Sequence, residues 1–284
     1  MVAIPTYDRT ADDIGNILLL DHIKLGIPDQ QLAIIFYIMG LGYTRDPHAR
    51  VGVSNMGVNI GCSQLHLPTV GREVRGHTVP PQRLRGTVGY VVPDLAKLAD
   101  RLKNVAPLLA GTQFGYTVHA DHVDATCPWG NRVRCHAPAP EFGNVAVAIA
   151  YVAFDVPRGT AAGIAKFYRD GFLAVAKVGQ QGKDAVACVT VGLQKLLFRE
   201  TDAPQPQYDG HHIAIFIANH SAPHRFLRER NLVTEESNQH QYRFQDIVDP
   251  DGGKALFTIE HEVRSLKHPL YNVPLVNRSL AHSG

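Results

Sequence analysis

The chain has 284 residues, 45% of them hydrophobic and 19% charged, with 28 Lys and Arg against 26 Asp and Glu. A chain of this length can bury a full core and suits about two domains of roughly 100 to 200 residues each. The composition argues against disorder, and a net charge of +2 with no concentrated basic face argues against nucleic acid as a partner.

In chain order, residues 17–27 read as an apolar strand ended by Pro28. A helix is predicted from Gln30 to Met39, with Leu32, Ile35, Phe36 and Met39 on one stripe and Gly40 and Gly42 to stop it. Polar, glycine-rich strands fill 43–67. The same order returns with a strand at 86–92, a helix from Asp94 to Leu109 and strands through His136. A third round has Val145 to Phe154, a helix over Thr160 to Phe172 and strands across Ala185 to Phe198. The fourth has His211 to Ile217, a helix from Ala222 to Asn231 and strands from Gln241 to Val263. The starts near 22, 90, 151 and 212 lie 68, 61 and 61 residues apart.

A period near 60 exceeds the 20 to 50 residues of solenoid repeats and suits two pseudo-symmetric pairs. The fold class is therefore α+β, with four βαβββ modules forming two pseudo-symmetric domains whose curled mixed sheets surround a cavity. The proline-containing link 138–141 places the domains at 1–140 and 141–284, two modules in each, the second with an irregular tail.

Cys62, Cys127, Cys135 and Cys188 have no paired spacing of the zinc-ribbon or redox type and read as thiols of a reducing compartment. No secretory signal is visible, and the longest apolar run, Val145 to Phe154, is ten residues, well short of the roughly 20 needed to cross a bilayer. A cytoplasmic protein with no membrane partner is expected. No glycine-rich phosphate motif stands between a strand and a helix, which sets nucleotide binding aside.

Strand alternation picks out the polar faces. His22 shares a face with Lys24 and Gly26, whereas Ile23, Leu25 and Ile27 face the core. His212 shares a face with Ala214 and Phe216, and His211 falls on the apolar side. Near the end, Thr258, Glu260, Glu262 and Arg264 share one face, as do Gln64 and His66 in the first module. On β-phase, His240, Tyr242 and Phe244 go together.

Several stretches together resemble the vicinal oxygen chelate superfamily of glyoxalases, fosfomycin and bleomycin resistance proteins and extradiol ring-cleaving dioxygenases. They are Asp21-His22-Ile23, the helix end 36–42, Ser63-Gln64-Leu65-His66-Leu67-Pro68, Gly210-His211-His212-Ile213-Ala214, and Asp249-Pro250-Asp251-Gly252-Gly253 ahead of Phe257-Thr258-Ile259-Glu260. The resemblance implies a divalent metal held by the first and last strands of paired modules: His22, His212 and Glu260, with Gln64, His66 and Glu262 as further metal or substrate contacts. Two imidazoles and a carboxylate suit a non-haem Fe(II) centre. Zn(II), Ni(II) or Mn(II) are the other candidates.

In four-module extradiol enzymes the resemblance implies a metal in the C-terminal pair. Here the third module opens on Tyr151 without a histidine, and Gln194 to Phe198 lacks a carboxylate. The first and fourth modules must then combine, within the chain or across a homodimer. His240 and Tyr242 are the acid–base candidates, and His268, Tyr271 or Arg278 of the tail could close the pocket.

The expected function is an Fe(II) dioxygenase-like metalloenzyme acting on a small aromatic or enolisable oxygenated substrate. A glyoxalase-like isomerase or lyase is the first alternative, and a non-catalytic carrier of a hydrophobic small molecule the second.

Overall fold

A computed structural model describes residues 7–278 except 50, 51, 53, 72, 75, 76, 79 and 144. The first module runs β1 (Ile17–Lys24), α1 (Gln30–Ala33), β2 (Thr44–Arg45), β3 (Asn55–Ile60) and β4 (Ser63–Pro68), followed by a small hairpin of β5 (Glu73–Val74) and β6 (His77–Thr78). The second has β7 (Gly86–Val91), α2 (Leu95–Val105), β8 (Gly115–Val118), β9 (His122–Thr126) and β10 (Arg132–His136). The third has β11 (Ala148–Pro157), α3 (Ala161–Phe172), β12 (Ala176–Gln181), β13 (Asp184–Val191) and β14 (Gln194–Thr201). The fourth has β15 (His212–Ile217), α4 (Ser221–Arg228), β16 (Val233–Asn238), β17 (Gln241–Val248) and β18 (Ala255–Ser265).

Local chemistry explains the helix starts. Asp29 accepts from the Gln31 and Leu32 amides and Asp94 from the Lys97 amide, filling donors that a helix leaves open at its N-terminus. The first helix departs from the periodic expectation. After α1 its backbone widens to a π-helix over Ile34–Gly40, closed by Leu41 N donating to Phe36 O.

The strands assemble into two sheets of eight, ordered β16-β17-β18-β15-β1-β4-β3-β2 and β12-β13-β14-β11-β7-β10-β9-β8. The fourth module joins the first through antiparallel β1 and β15, and the second joins the third through β7 and β11. Within each outer module the opening strand runs parallel to the closing one, β1 beside β4 and β15 beside β18.

The link at 138–141 does separate the second module from the third in sequence. Each sheet nevertheless takes strands from both 1–140 and 141–284, because the outer modules pair edge to edge and leave the inner two to each other. Direct pairing of modules one and four inside the chain is thus realised.

Helices lie between the sheets and weld them together. Tyr168 of α3 packs on Phe198 of one sheet and His261 of the other, with ring centroids 5.6 and 5.9 Å away, and Phe154 meets Phe257 across the sheets at 5.6 Å. Ile23, Ile213, Ile215, Ile259 and Val263 are fully buried on this side. Burying each such side chain contributes about 1.5 to 3 kcal/mol, and a one-residue slip would turn all of them to the opposite face. Register is thereby fixed, and with it the polar residues of the other face. Among the described residues, no helix is long and apolar enough to cross a membrane.

Candidate metal centre

The four central strands of the first sheet, β4, β1, β15 and β18, bring the polar faces of both outer modules together. His22 pairs with Ala214 and Lys24 with His212 across the antiparallel seam. On the parallel sides His22 pairs with Gln64, Lys24 with His66, His212 with Glu260 and Ala214 with Glu262. This register makes a local two-fold axis that relates His22 to His212, Gln64 to Glu260, and His66 to Glu262.

His22 Nε2 lies 3.3 Å from His212 Nε2, and Glu262 Oε2 lies 3.7 Å from the same His212 nitrogen. One ligand atom from each of His22, His212 and Glu262 lies within 4.8 Å of the others. An ion with bonds of about 2.0 to 2.2 Å spaces its ligands by roughly 3 Å, so a small inward movement would seat one. All three residues are buried.

The far nitrogens are also engaged. His22 Nδ1 is 2.7 Å from Asp21 Oδ2, and His212 Nδ1 is 3.1 Å from Glu260 Oε1. These acceptors assign the proton of each neutral ring to Nδ1 and turn the Nε2 lone pairs inward. A carboxylate behind each imidazole is the usual support of a metal-binding histidine.

Burial lowers the His212 pKa against the pull of Glu260 and Glu262, which favours the neutral ring that a ligand requires. Burial raises the Glu260 pKa, but the His212 hydrogen bond and the Arg243 charge outweigh it and hold the carboxyl below its ordinary value.

The carboxylate that this geometry groups with His22 and His212 is that of Glu262, one pleat along from the Glu260 of the sequence expectation. Glu260 faces His212 Nδ1, Arg243 at 2.5 Å and Gln245 at 3.3 Å, a place behind the ring. Glu262 faces His212 Nε2 instead. Arg243 and Arg264 both pair with Glu262, and Arg264 also reaches Asp21 Oδ2 at 2.7 Å. Arg264 therefore links the support of His22 to the carboxylate.

Asp21 does not join the donors and lies instead behind the His22 ring. The register of β1 against β15 shifts between Leu20 and His22, and that irregularity sets the Asp21 carboxylate against the outer nitrogen of the His22 ring.

The first module sets His66 beside this group. The His66 ring stacks on His22 with centroids 3.7 Å apart, and its Nε2 lies 3.0 Å from Gln64 Oε1. Gln64 in turn donates to Asp46 at 2.8 Å and Asn59 at 2.6 Å. Gln64 thus holds His66, and His66 is the two-fold counterpart of Glu262.

Two acid–base expectations fall elsewhere. Tyr242 packs against His220 and His224 with centroids 4.8 and 4.9 Å away, on the helix side, and the cavity side of β17 is carried by its neighbours Arg243 and Gln245. His240 sits in the turn before β17, with Nδ1 3.5 Å from Ser265 Oγ. Tyr242 and Phe244 do share a buried face of β17, but alternation alone does not say which side of a strand meets the helices. Arg243 and Arg264 were the residues missed, and the one signal for Arg264 was its phase with Glu260 and Glu262.

Beside the centre is a cavity of about 580 Å³ whose lining includes Asp21, Gln64 and His66 together with Leu19 and Cys62. The irregular tail forms its other wall through Leu270 and 272–275. Asn277 clamps that tail to the first module, accepting from Gly61 N and donating to Gly61 O, both at 2.9 Å. Of the tail residues expected to close the pocket, His268 and Tyr271 pack on Phe216, and the Arg278 amide donates to Thr44.

No protein-family model matches the chain, and no curated protein does. Solved structures do match. Glyoxalase I from Zea mays is similar with a TM-score of 0.59 at 13% identity, covering 88% of this chain and 92% of that one. A "putative dioxygenase" from Bacillus subtilis is similar with a TM-score of 0.56 at 14% identity, covering 89% and 86%. The chain has the vicinal oxygen chelate fold.

Proposed function

We propose that the protein is a metal-dependent enzyme of the vicinal oxygen chelate type, with His22, His212 and Glu262 as the ligands of a divalent ion. The observation that carries this is the convergence of two buried ring nitrogens and a carboxylate oxygen, with a second carboxylate behind each ring. The donor set fits the metal it implies.

Two imidazoles and one carboxylate leave positions open, as in non-haem Fe(II) oxygenases, where the ion supplies sites for adjacent substrate oxygens and for O2. We read the reaction as an oxygenase step on a small aromatic or enolisable substrate. Leu19, Leu270, Val273 and Leu275 give the cavity an apolar wall for its carbon skeleton. Asp21 and Glu260 fix the two rings, and Arg264 fixes Asp21 and Glu262. His66, held by Gln64 at the cavity wall, is the group placed to take and return a substrate proton.

One observation favours a second reading. Because His66 is the two-fold counterpart of Glu262 and stacks on His22, it could serve as a fourth ligand. A Zn(II), Ni(II) or Mn(II) centre with four protein ligands would act as a Lewis acid in a glyoxalase-like isomerase or lyase step without oxygen.

The test is purification without oxygen, reconstitution with each metal in turn, and oxygen uptake measured on a panel of catechols. The oxygenase reading expects uptake with Fe(II) and expects His66→Ala to keep the metal but lose turnover. The second reading expects anaerobic turnover with loss of a substrate C–H proton, and His66→Ala to lose metal as well. Ligand binding without turnover under any of these metals would leave a carrier. Full metal retention by His22→Ala/His212→Ala would overturn the centre itself.

A further inference from the structure

The second sheet carries its own cluster of metal-type donors, at its far edge and away from the centre described above. Edge strand β8 is held to the sheet through β9, and the turn between them is closed by His119 N donating to His122 O at 2.9 Å. His119, His122 and Asp124 come together there. His119 Nε2 and His122 Nε2 each lie 3.5 Å from Asp124 Oδ2. One ligand atom from each residue lies within 4.8 Å of the others. A tetrahedral ion with bonds of about 2.0 to 2.1 Å spaces its ligands by roughly 3.3 Å, so both nitrogen-to-carboxylate distances are already near that spacing.

Three details point to an ion rather than to an ordinary hydrogen-bond network. The Asp121 carboxylate lies 2.7 Å from His122 Nδ1, the same device by which Asp21 holds His22, and it leaves the Nε2 lone pair as the inward-facing group. That Nε2 atom is buried and has no hydrogen-bond partner among the described residues, an arrangement that costs stability unless something fills it. The two rings are stacked, with centroids 4.3 Å apart and planes 15° from parallel. Stacked rings aim both Nε2 atoms at the shared carboxylate instead of at each other, so a proton passed between the rings does not complete the set. Arg134 grips Asp124 at 2.7 and 2.8 Å and orients it. A carboxylate has about four lone-pair sites, which leaves Oδ2 able to accept a metal as well.

We infer that His119, His122 and Asp124 form a second divalent metal site, of the two-imidazole, one-carboxylate kind suited to Zn(II), Ni(II) or Cu(II). Its remaining positions are filled by water, since the His119 side chain is 40% exposed. The ion clips β8 to β9 and so secures the outermost strand of the second sheet. The site is independent of the proposed reaction, because it shares no residue with the first centre.

The experiment is calorimetric titration of chelator-stripped full-length protein with Zn(II), joined to hydrogen exchange of the 115–126 amides. Two equivalents are expected for the unaltered chain. His22→Ala/His212→Ala should keep one equivalent, and Zn(II) should slow exchange across 115–126 in that background. Adding His119→Ala should weaken the remaining equivalent by at least about tenfold and abolish the slowing. Asp121→Asn should weaken it by about 10- to 100-fold, the range for loss of such a support. His119 is exposed, so its replacement leaves the fold intact, and an unchanged melting curve without metal checks that. The inference is overturned if the His22→Ala/His212→Ala chain binds no Zn(II), or if its equivalent survives His119→Ala unweakened, or if hairpin exchange does not respond. Failure of the first centre would look different: one equivalent in the unaltered chain, lost on His119→Ala and untouched by His22→Ala.

Discussion

Replacing Glu262 and Glu260 separately by glutamine is the most direct probe of the centre, since sequence phase allows either residue and only the geometry separates them. The Glu262 side chain is 4% exposed and meets Arg243 and Arg264, the latter 5% exposed. Truncation to alanine would leave those guanidiniums without their partner, and breaking such a buried pair costs about 3 to 5 kcal/mol. Unfolding would then masquerade as metal loss. Glutamine keeps the shape and removes only the charge. For Glu260→Gln the structure predicts loss of the support behind His212, worth about 10- to 100-fold in metal affinity, or about 1.4 to 2.8 kcal/mol at 1.4 kcal/mol per tenfold. Glu262→Gln removes a charged ligand and should lose more than about 100-fold, exceeding that range for a support. Competition for the metal against a chromophoric chelator measures both, with melting curves of the metal-free variants as a control on folding. An affinity loss for Glu260→Gln equal to or larger than that for Glu262→Gln would refute the assignment.

Three further outcomes can be checked. Burial holds the His261 pKa at about 4 even though the Ile259 carbonyl and the Glu260 charge pull it upward. The folded ring therefore stays neutral while the unfolded one titrates near 6.5, so its contribution is fully present above that value and is lost as pH falls through about 4. About 3 kcal/mol is at stake in all; denaturant unfolding at pH 7 and pH 4.5 should show about 2.4 kcal/mol of it relative to His261→Gln, and parallel pH dependence in the two proteins would count against it. Cys62 is exposed and lines the cavity, whereas burial, aided by the Asp124 charge, pushes Cys135 to about 12 and burial likewise raises Cys127. At pH 8 the Cys135 thiolate fraction is on the order of 10⁻⁴, so Cys62 should take up a thiol reagent first in the native protein, more slowly with a cavity ligand bound; prior labelling of Cys135 in mapped peptides would contradict the fold. Asn277→Ala removes both bonds to Gly61, each worth about 0.5 to 1.5 kcal/mol. The tail should then be cut faster by protease near 270–278 and KM should rise about tenfold with metal content unchanged, and unaltered cleavage and KM would remove the tail from the cavity wall.

The sequence by itself determined the repeated strand-and-helix order and the faces of individual strands. His22 and His212 could be placed on a polar face because buried Ile23 and Ile213 alternate with them, and strand alternation is a local property. The third module opens on Tyr151 without the histidine that opens the first and fourth, and Gln194 to Phe198 lacks a carboxylate, which pointed to the first and fourth modules as partners. Other decisions belonged to the tertiary structure. Glu262 faces His212 Nε2 and Glu260 faces Nδ1 because β15 and β18 pair with one particular register, and residues two apart on one strand are equivalent until that register is set. Asp21 supports His22 because the β1 register is interrupted there, which an alternation rule cannot foresee. Tyr242 faces α4, and the tail that carried no period became a cavity wall, because each answers to packing against segments far away in the chain. Periodicity records which residues share a face; the hydrogen-bonded pairing of strands 190 residues apart decides which faces meet.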